Sequence, residues 1–249
     1  QLQQVGIDNF SVDLISGLPN QTLSQWEMTL EEAIQLSPPH LSCYDLIVEP
    51  GTAFDRQAQK GTLPLPPDET AAQMYRLTQQ KLTGAGYDHY EISNYARSGY
   101  QCHHNRVYWQ NLPYFGFGMG AASFLGGKRF TRPRTRREYF PWVETLTEQE
   151  NDLTLIPEVD PTEELLETLM LGLRLQEGVN LDAIAQKFGA EKVKYITHIL
   201  TPYRDKNWVN VGTLDHSAWE NLILTDPEGF LFSNTILAHL FGAFTDEIR

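Results

Sequence analysis

A chain of 249 residues, 41% hydrophobic and 20% charged, has ordinary globular composition and is long enough for one large domain or two smaller ones. Its net charge of −13 argues against binding nucleic acid or an anionic membrane by bulk electrostatics, and no apolar run reaches the roughly 18 residues of a membrane span. Its two cysteines, Cys43 and Cys102, form no zinc spacing, disulfide framework or CxxC pair, which fits a reducing compartment, the cytoplasm.

The chain opens with Gln1 rather than Met and carries no visible signal peptide; the expectation is a sequence without its natural N-terminus. Residues 10–16 read as a strand through Phe10, Val12, Leu14 and Ile15, with Asp13 inside it. An unpaired buried acid is costly, so Asp13 either caps a loop or lies exposed on an edge strand, or it is aimed at a ligand from the end of a parallel strand, where barrel enzymes keep their sites. A Gly17-Leu18-Pro19 turn stops the strand. A helix is predicted over 22–36, with Thr22 and Gln25 as a capping box and Trp26, Leu30, Ala33 and Ile34 on one face.

Residues 40–48 read as a second apolar strand, ended by Pro50-Gly51. A loop rich in Pro and Gly runs to Asp68, expected to cap a helix whose face is Ala71, Met74, Tyr75, Thr78 and Leu82 and which Gly84 and Gly86 end. Residues 90–93 read as a short third strand. Strands alternating with helices at this spacing predict βαβ units, a parallel sheet and right-handed crossovers.

Residues 94–127 are rich in aromatics and glycine. Gly116, Gly118 and Gly120 fit no GxGxxG spacing, and their alternation with Phe117 and Met119 suits a strand where backbone closely approaches a ligand or another strand. Residues 102–109, CHHNRVYW, place a thiol, two imidazoles, an amide and two aromatics on an expected loop. Histidine and cysteine both serve as axial haem ligands, and Tyr108 and Trp109 could stack on a flat ligand; the bland alternative is a loop whose histidines cap backbone while Trp109 fills the core. Lys128, Arg129, Arg132, Arg134, Arg136 and Arg137 form a local basic cluster able to grip phosphate or carboxylate, or simply a solvated hairpin over an acidic neighbour.

A boundary is expected at 146–161. Beyond it come helices over 162–175, 181–188 and 190–206 (broken near Pro202), a two-stranded wing at 208–211 and 222–225, and a last helix from 226 toward 241. This order resembles a winged helix, but residues 160–249 hold 14 acidic and 7 basic side chains, which argues against DNA and for a structural or protein-docking wing.

Five motifs occur in order: DLISGLPNQT from Asp13, EPGT from Glu49, YEISNYA from Tyr90, HNRVYW from His104, and Leu224-Thr225 followed by Gly229. Together they resemble the radical S-adenosylmethionine proteins related to oxygen-independent coproporphyrinogen III oxidase, on the branch regarded as haem chaperones. The resemblance covers nearly the whole chain. It implies an α/β fold: the C-terminal part of a partial (β/α)6 barrel over residues 1–145 with the HNxxYW motif, a linker at 146–161, and the family's small winged-helix-like α+β domain over 162–249. It also implies a [4Fe–4S] cluster on a CxxxCxxC motif absent from this sequence, and adenosylmethionine contacts at Asp13, Ile47 and Ala122. The last departs from the family's pattern, in which histidine is common. His104, Asn105, Tyr108 and Trp109 match the haem-associated motif, with His104 the first candidate iron ligand and Cys102 and His103 weaker ones.

The function so implied is a haem-binding chaperone that passes haem to acceptor proteins, including respiratory proteins at the membrane. The alternative is oxidative decarboxylation of coproporphyrinogen III to protoporphyrinogen IX, with the basic cluster at 128–137 holding propionates. A nucleic-acid-binding winged helix is the third class, disfavoured by the acidic C-terminal block.

Overall fold

A computed structural model describes residues 2–148, 159–212 and 220–247. Strand β1 (Ser11–Ser16) leads through α1 (Leu23–Gln35) to β2 (His40–Asp45), which pairs with β1 in parallel, Asp13 opposite Ser42. The predicted capping box is present: the Thr22 hydroxyl accepts from Gln25 N at 3.2 Å, and the Gln25 side chain accepts from Thr22 N at 2.9 Å. β2 stops at Asp45 rather than continuing to residue 48, because its partner β1 has already turned away at Gly17, whose φ is 74°.

A short α2 (Ala53–Gln59) precedes α3 (Asp68–Gly84). Asp68 is the first residue of α3 rather than its cap; Pro67 precedes it, and the two acids Asp68 and Glu69 lie in the first turn, where they complement the helix dipole. α1 and α3 cover one face of the sheet. Trp26 donates its indole N–H to Thr78 Oγ1 at 2.9 Å, inside a core of Leu30, Leu41, Met74, Leu82 and Tyr95.

The parallel-sheet expectation fails at the third strand. β3 (Asp88–Glu91) turns at Ile92-Ser93 into β4 (Asn94–Ala96), which inserts antiparallel between β2 and β3, giving a mixed sheet of order β1-β2-β4-β3. Residues 92–93 therefore belong to a turn. A hairpin brings its second strand home within two residues, whereas a parallel return needs a crossover of a dozen or more.

A seven-residue helix, α4 (His103–Trp109), follows, then a separate hairpin of β5 (Ala122–Leu125) and β6 (Lys128–Thr131), and α5 (Arg136–Glu148). The glycine stretch is not the predicted strand: Phe117 is 84% exposed and Met119 also faces solvent. The close approach is real at one position. A Cβ on Gly116 would lie 2.0 Å from the Ala122 carbonyl oxygen.

Most of the expected 146–161 boundary lies outside the described residues. Beyond it α6 (Pro161–Gly172) starts with Pro161 in its first turn and Asp160 accepting from Thr162 N at 2.8 Å. β7 (Val179–Asn180), α7 (Leu181–Phe188), α8 (Ala190–Ile199) and α9 (Thr201–Arg204) come next. The helix expected over 190–206 breaks where Pro202 lacks the N–H needed to continue it. β8 (Val209–Gly212) and β9 (Asn221–Leu224) form the wing, which β7 extends to three antiparallel strands in the order β7-β9-β8. The last helix comes in two pieces, α10 (Glu228–Leu231) and α11 (Ser233–Glu247). Their core gathers Leu165, Leu169, Ile196, Leu222, Phe230 and Leu240.

This second core docks on the outer edge of β3. Glu91 bridges Leu175 antiparallel, Ile92 N donates to Arg174 O, and Gln176 N donates to Tyr90 O, both at 3.0 Å. An edge that would otherwise offer unpaired backbone is thereby covered.

Candidate functional site

The CHHNRVYW stretch is helical, not a loop. Cys102 sits at the N-cap, and Asn111, with φ of 52°, ends the helix. Asn111 N donates to Tyr108 O at 3.0 Å and Leu112 N to Val107 O at 2.9 Å, a left-handed C-terminal closure that asparagine tolerates. Asn111 was the sequence signal for this helix end.

Helical spacing divides the motif into two i, i+4 pairs. His104 and Tyr108 form the outer pair: His104 is exposed, its ring meets Tyr108 edge-to-face at 5.0 Å, and Tyr108 meets Tyr114 edge-to-face at 4.7 Å. Asn105 and Trp109 lie one position round. Trp109 is half-buried, with the Arg174 guanidinium 5.3 Å above its ring, and it lines a mainly apolar cavity of about 310 Å³ with Gly172, Leu175, Val179 and Ile184. Arg106, between the pairs, forms an ion pair with Glu177. The helix is thus held from below while His104 and Tyr108 face outward.

The basic cluster splits. Arg129 pairs with Glu167 at 3.0 Å, donates to the Tyr114 hydroxyl and lies 4.9 Å over Phe124. Arg132 donates to Ser123 Oγ at 2.7 Å. Arg134, Arg136 and Arg137 are exposed, so part of the cluster covers an acid, as the bland reading expected, and part faces solvent.

Asp13 sits mid-strand, exposed, on the sheet face opposite α1 and α3. Ile47, 73% exposed, lies two residues beyond β2, at the carboxyl end of the β1–β2 pair. Ala122 belongs to the separate β5–β6 hairpin, paired with Thr131, and no strand pairing among the described residues joins it to Asp13.

Beyond Asp13, the sequence reading gave no individual role to the polar residues on this face. A register shift between His89 and Glu91 leaves Tyr90 without a cross-strand partner. The Tyr90 hydroxyl instead meets His40 Nε2 at 2.8 Å and accepts from Cys102 N at 3.2 Å, while His40 Nδ1 meets Ser11 Oγ at 2.8 Å. Burial lowers the His40 pKa, against the opposing field of Asp13. Glu91, 1% exposed, accepts from the Asn94 side chain; its other oxygen and Asn94 Oδ1 are buried without hydrogen-bond partners among the described residues. Burial raises the Glu91 pKa, opposed by the Asn94 hydrogen bond. The only signal for these residues was polar side chains inside strand-like sequence.

Among the described residues no group of three His, Cys, Asp or Glu could hold a metal ion. Cys43 is pushed up to about 12 by burial and by Asp45 and Asp13, so it stays a thiol at neutral pH. Cys102 is half-buried at the start of α4. His103 and His104 are both exposed imidazoles on α4, and of the two His104 is the one whose ring is packed edge-to-face on Tyr108. No helix among the described residues is long and apolar enough to cross a membrane.

Residues 159–211 match the HemN C-terminal domain family. The chain is 46% identical over 253 residues to the heme chaperone HemW of Synechocystis sp., covering 97% of this chain and 60% of that protein. It is 35% identical over 246 residues to the heme chaperone HemW of Bacillus subtilis, covering 99% of this chain and 61% of that one. Coproporphyrinogen III oxidase (HemN) from Escherichia coli, a radical SAM enzyme, superposes with a TM-score of 0.66 at 19% identity, covering 95% of this chain and 56% of that one. The chain thus spans about three fifths of the length of the HemW relatives it matches.

Proposed function

The chain belongs to the HemN-like family of radical S-adenosylmethionine proteins, and from that premise we propose that it is part of a haem-binding chaperone which passes haem to acceptor proteins, including acceptors at the membrane. The observation that carries this reading is the outward His104–Tyr108 pair on α4, braced from behind by Trp109 and Arg106. A bound haem supplies an iron centre that takes a histidine nitrogen as axial ligand. The residues of this chain do the rest: His104 offers the imidazole, Tyr108 fixes its ring edge-to-face, and Trp109 under Arg174 with Arg106 on Glu177 set the rotation of the helix, which also carries Asn105 of the motif.

Adenosylmethionine belongs to the same reading, with Asp13, Ile47 and Ala122 as its contacts. The carboxylate of Asp13 on the open sheet face suits the ligand's hydroxyl or amino groups, and exposed Ile47 offers apolar contact at the strand ends. The [4Fe–4S] cluster needs thiolates that Cys43 and Cys102 alone do not supply. Residues 1–145 and 162–249 are read as the barrel part and the C-terminal domain, joined by a linker at 146–161.

The test is a haem titration by absorbance on full-length protein, wild type against His104→Ala. A Soret band saturating near one haem per chain and lost in the variant supports the chaperone and its ligand. Binding that survives moves the ligand to Cys102 or His103. No specific binding, together with anaerobic turnover of coproporphyrinogen III, replaces this function with the decarboxylase.

A further inference from the structure

Helix α4 starts without a side-chain cap, since Cys102 at its N-cap makes no side-chain hydrogen bond to the first turn. The first four N–H groups of a helix have no partner inside it. One of them, Cys102 N, is taken by the Tyr90 hydroxyl, which comes from a different element and is itself fully buried.

We propose that Tyr90 is a positioning residue for the His104 helix: its hydroxyl anchors the start of α4 and is itself fixed through His40 to Ser11 on β1. The inference rests on the haem-binding reading for its consequence, not for its geometry. The bulge at Tyr90 frees its side chain from cross-strand pairing and aims it across the sheet at β2.

Hydrogen-bond accounting gives the relay a direction. The Tyr90 oxygen accepts from Cys102 N–H, so its single proton goes to His40 Nε2; the remaining His40 proton, on Nδ1, goes to Ser11 Oγ. In this arrangement the two buried side chains, His40 and Tyr90, leave no polar atom unmatched. It requires a neutral imidazole, in keeping with the lowering of the His40 pKa by burial. The opposite arrangement, with Nε2–H donating to tyrosine, leaves a buried hydroxyl proton with no acceptor, which is costly. His104 lies two residues beyond Cys102, so a shift at the helix start is carried directly to the imidazole.

The experiment compares wild type, Tyr90→Phe and Tyr95→Phe as full-length proteins. Tyr95 is the control, because its hydroxyl is also buried but has no hydrogen-bond partner among the described residues. Amide hydrogen exchange over 102–109 is read first, and the Soret and electron paramagnetic resonance spectra of bound haem second. The expected result is roughly tenfold faster exchange at the start of α4 and an altered haem spectrum in Tyr90→Phe only, the size of a lost net hydrogen bond. Unchanged exchange overturns the anchor. Faster exchange with an unchanged haem spectrum overturns its role in presenting His104. A wild type that binds no haem overturns the chaperone reading while the exchange data still decide the anchor. Should Tyr90→Phe fail to fold, Cys102→Pro deletes the same hydrogen bond from the helix side, at a residue whose φ of −70° proline accepts, and is compared with Cys102→Ala, which loses the thiol but keeps the N–H.

Discussion

Arg76 and Glu228, 152 residues apart in sequence, meet in a two-pronged ion pair at 2.6 and 3.0 Å. The pair ties α3, on the back of the four-stranded sheet, to the start of α10. Beside it Asp226 accepts from Gln79 at 3.1 Å and meets His89 at 2.8 Å, so two side chains of the sheet layer reach the turn before α10 while Arg76 reaches its first residue. Both partners of the ion pair are about one-third exposed, which limits its strength. A double-mutant cycle by urea unfolding should give a coupling of about 1 kcal/mol for Arg76 with Glu228. The Arg76→Glu, Glu228→Arg exchange should restore part of the loss. The Arg76 hydrogen bond lowers the Glu228 pKa below 4.5, so this contribution is present above pH 4.5 and fades as acid is added through the lowered value. A coupling unchanged by acid would refute the assignment.

Glu91 should act in the opposite sense. Its folded pKa lies above the unfolded value of 4.5, so the folded state holds the proton longer. Stability should therefore fall as pH rises from about 4.5 through the raised value. Glu91→Gln removes that charge. It should match wild type near pH 4.5 and exceed it at pH 8 by about 1 kcal/mol or more, the scale of desolvating a buried group. Parallel stability curves for the two proteins would count against burial outweighing the Asn94 hydrogen bond at Glu91.

The two faces of α4 should separate in mutagenesis. Trp109→Ala empties a half-buried site under Arg174 and should lower stability by about 2 kcal/mol. His104→Ala, at an exposed position, should change stability by no more than about 0.5 kcal/mol while abolishing the Soret band. Equal thermal shifts in the two variants would argue against the inner and outer assignment.

Gly116→Ala should disturb the β5–β6 hairpin. Its new Cβ would fall 2.0 Å from the Ala122 carbonyl, so backbone must move, at about 1–3 kcal/mol. The Tyr114–Phe124 bridge lies beside it, so Tyr114 and with it Tyr108 should be displaced. Thermal unfolding and the Tyr108 proton resonances would read the effect. A neutral substitution would mean the hairpin is looser than its close approach implies.

What the sequence made legible follows from local rules. The capping box at Thr22, the apolar stripe of α1, the break at Pro202 and the wing strands depend on residues within a turn or two of each other. The β3–β4 hairpin was hidden because Ile92-Ser93 is not a strong turn pair, and Asn94-Tyr95-Ala96 does not alternate apolar with polar. The helix over 103–109 was hidden by its own composition, since adjacent histidines and aromatics are indifferent helix formers; tertiary ties at Tyr90, Glu177 and Arg174 hold it. Tyr90 and Glu91 stood in the YEISNYA motif and His40 at the head of the second strand, but what each of them meets could not be read from sequence, because it lies in a strand register that no periodicity encodes.

The four-stranded sheet is capped on one side only: residues 174–176 close β3, while β1 pairs with β2 and has no second neighbour among the described strands. Strands can therefore be added to this sheet in one direction only, outward from β1, and in the barrel reading proposed above the further strands of the full-length protein would join there in succession.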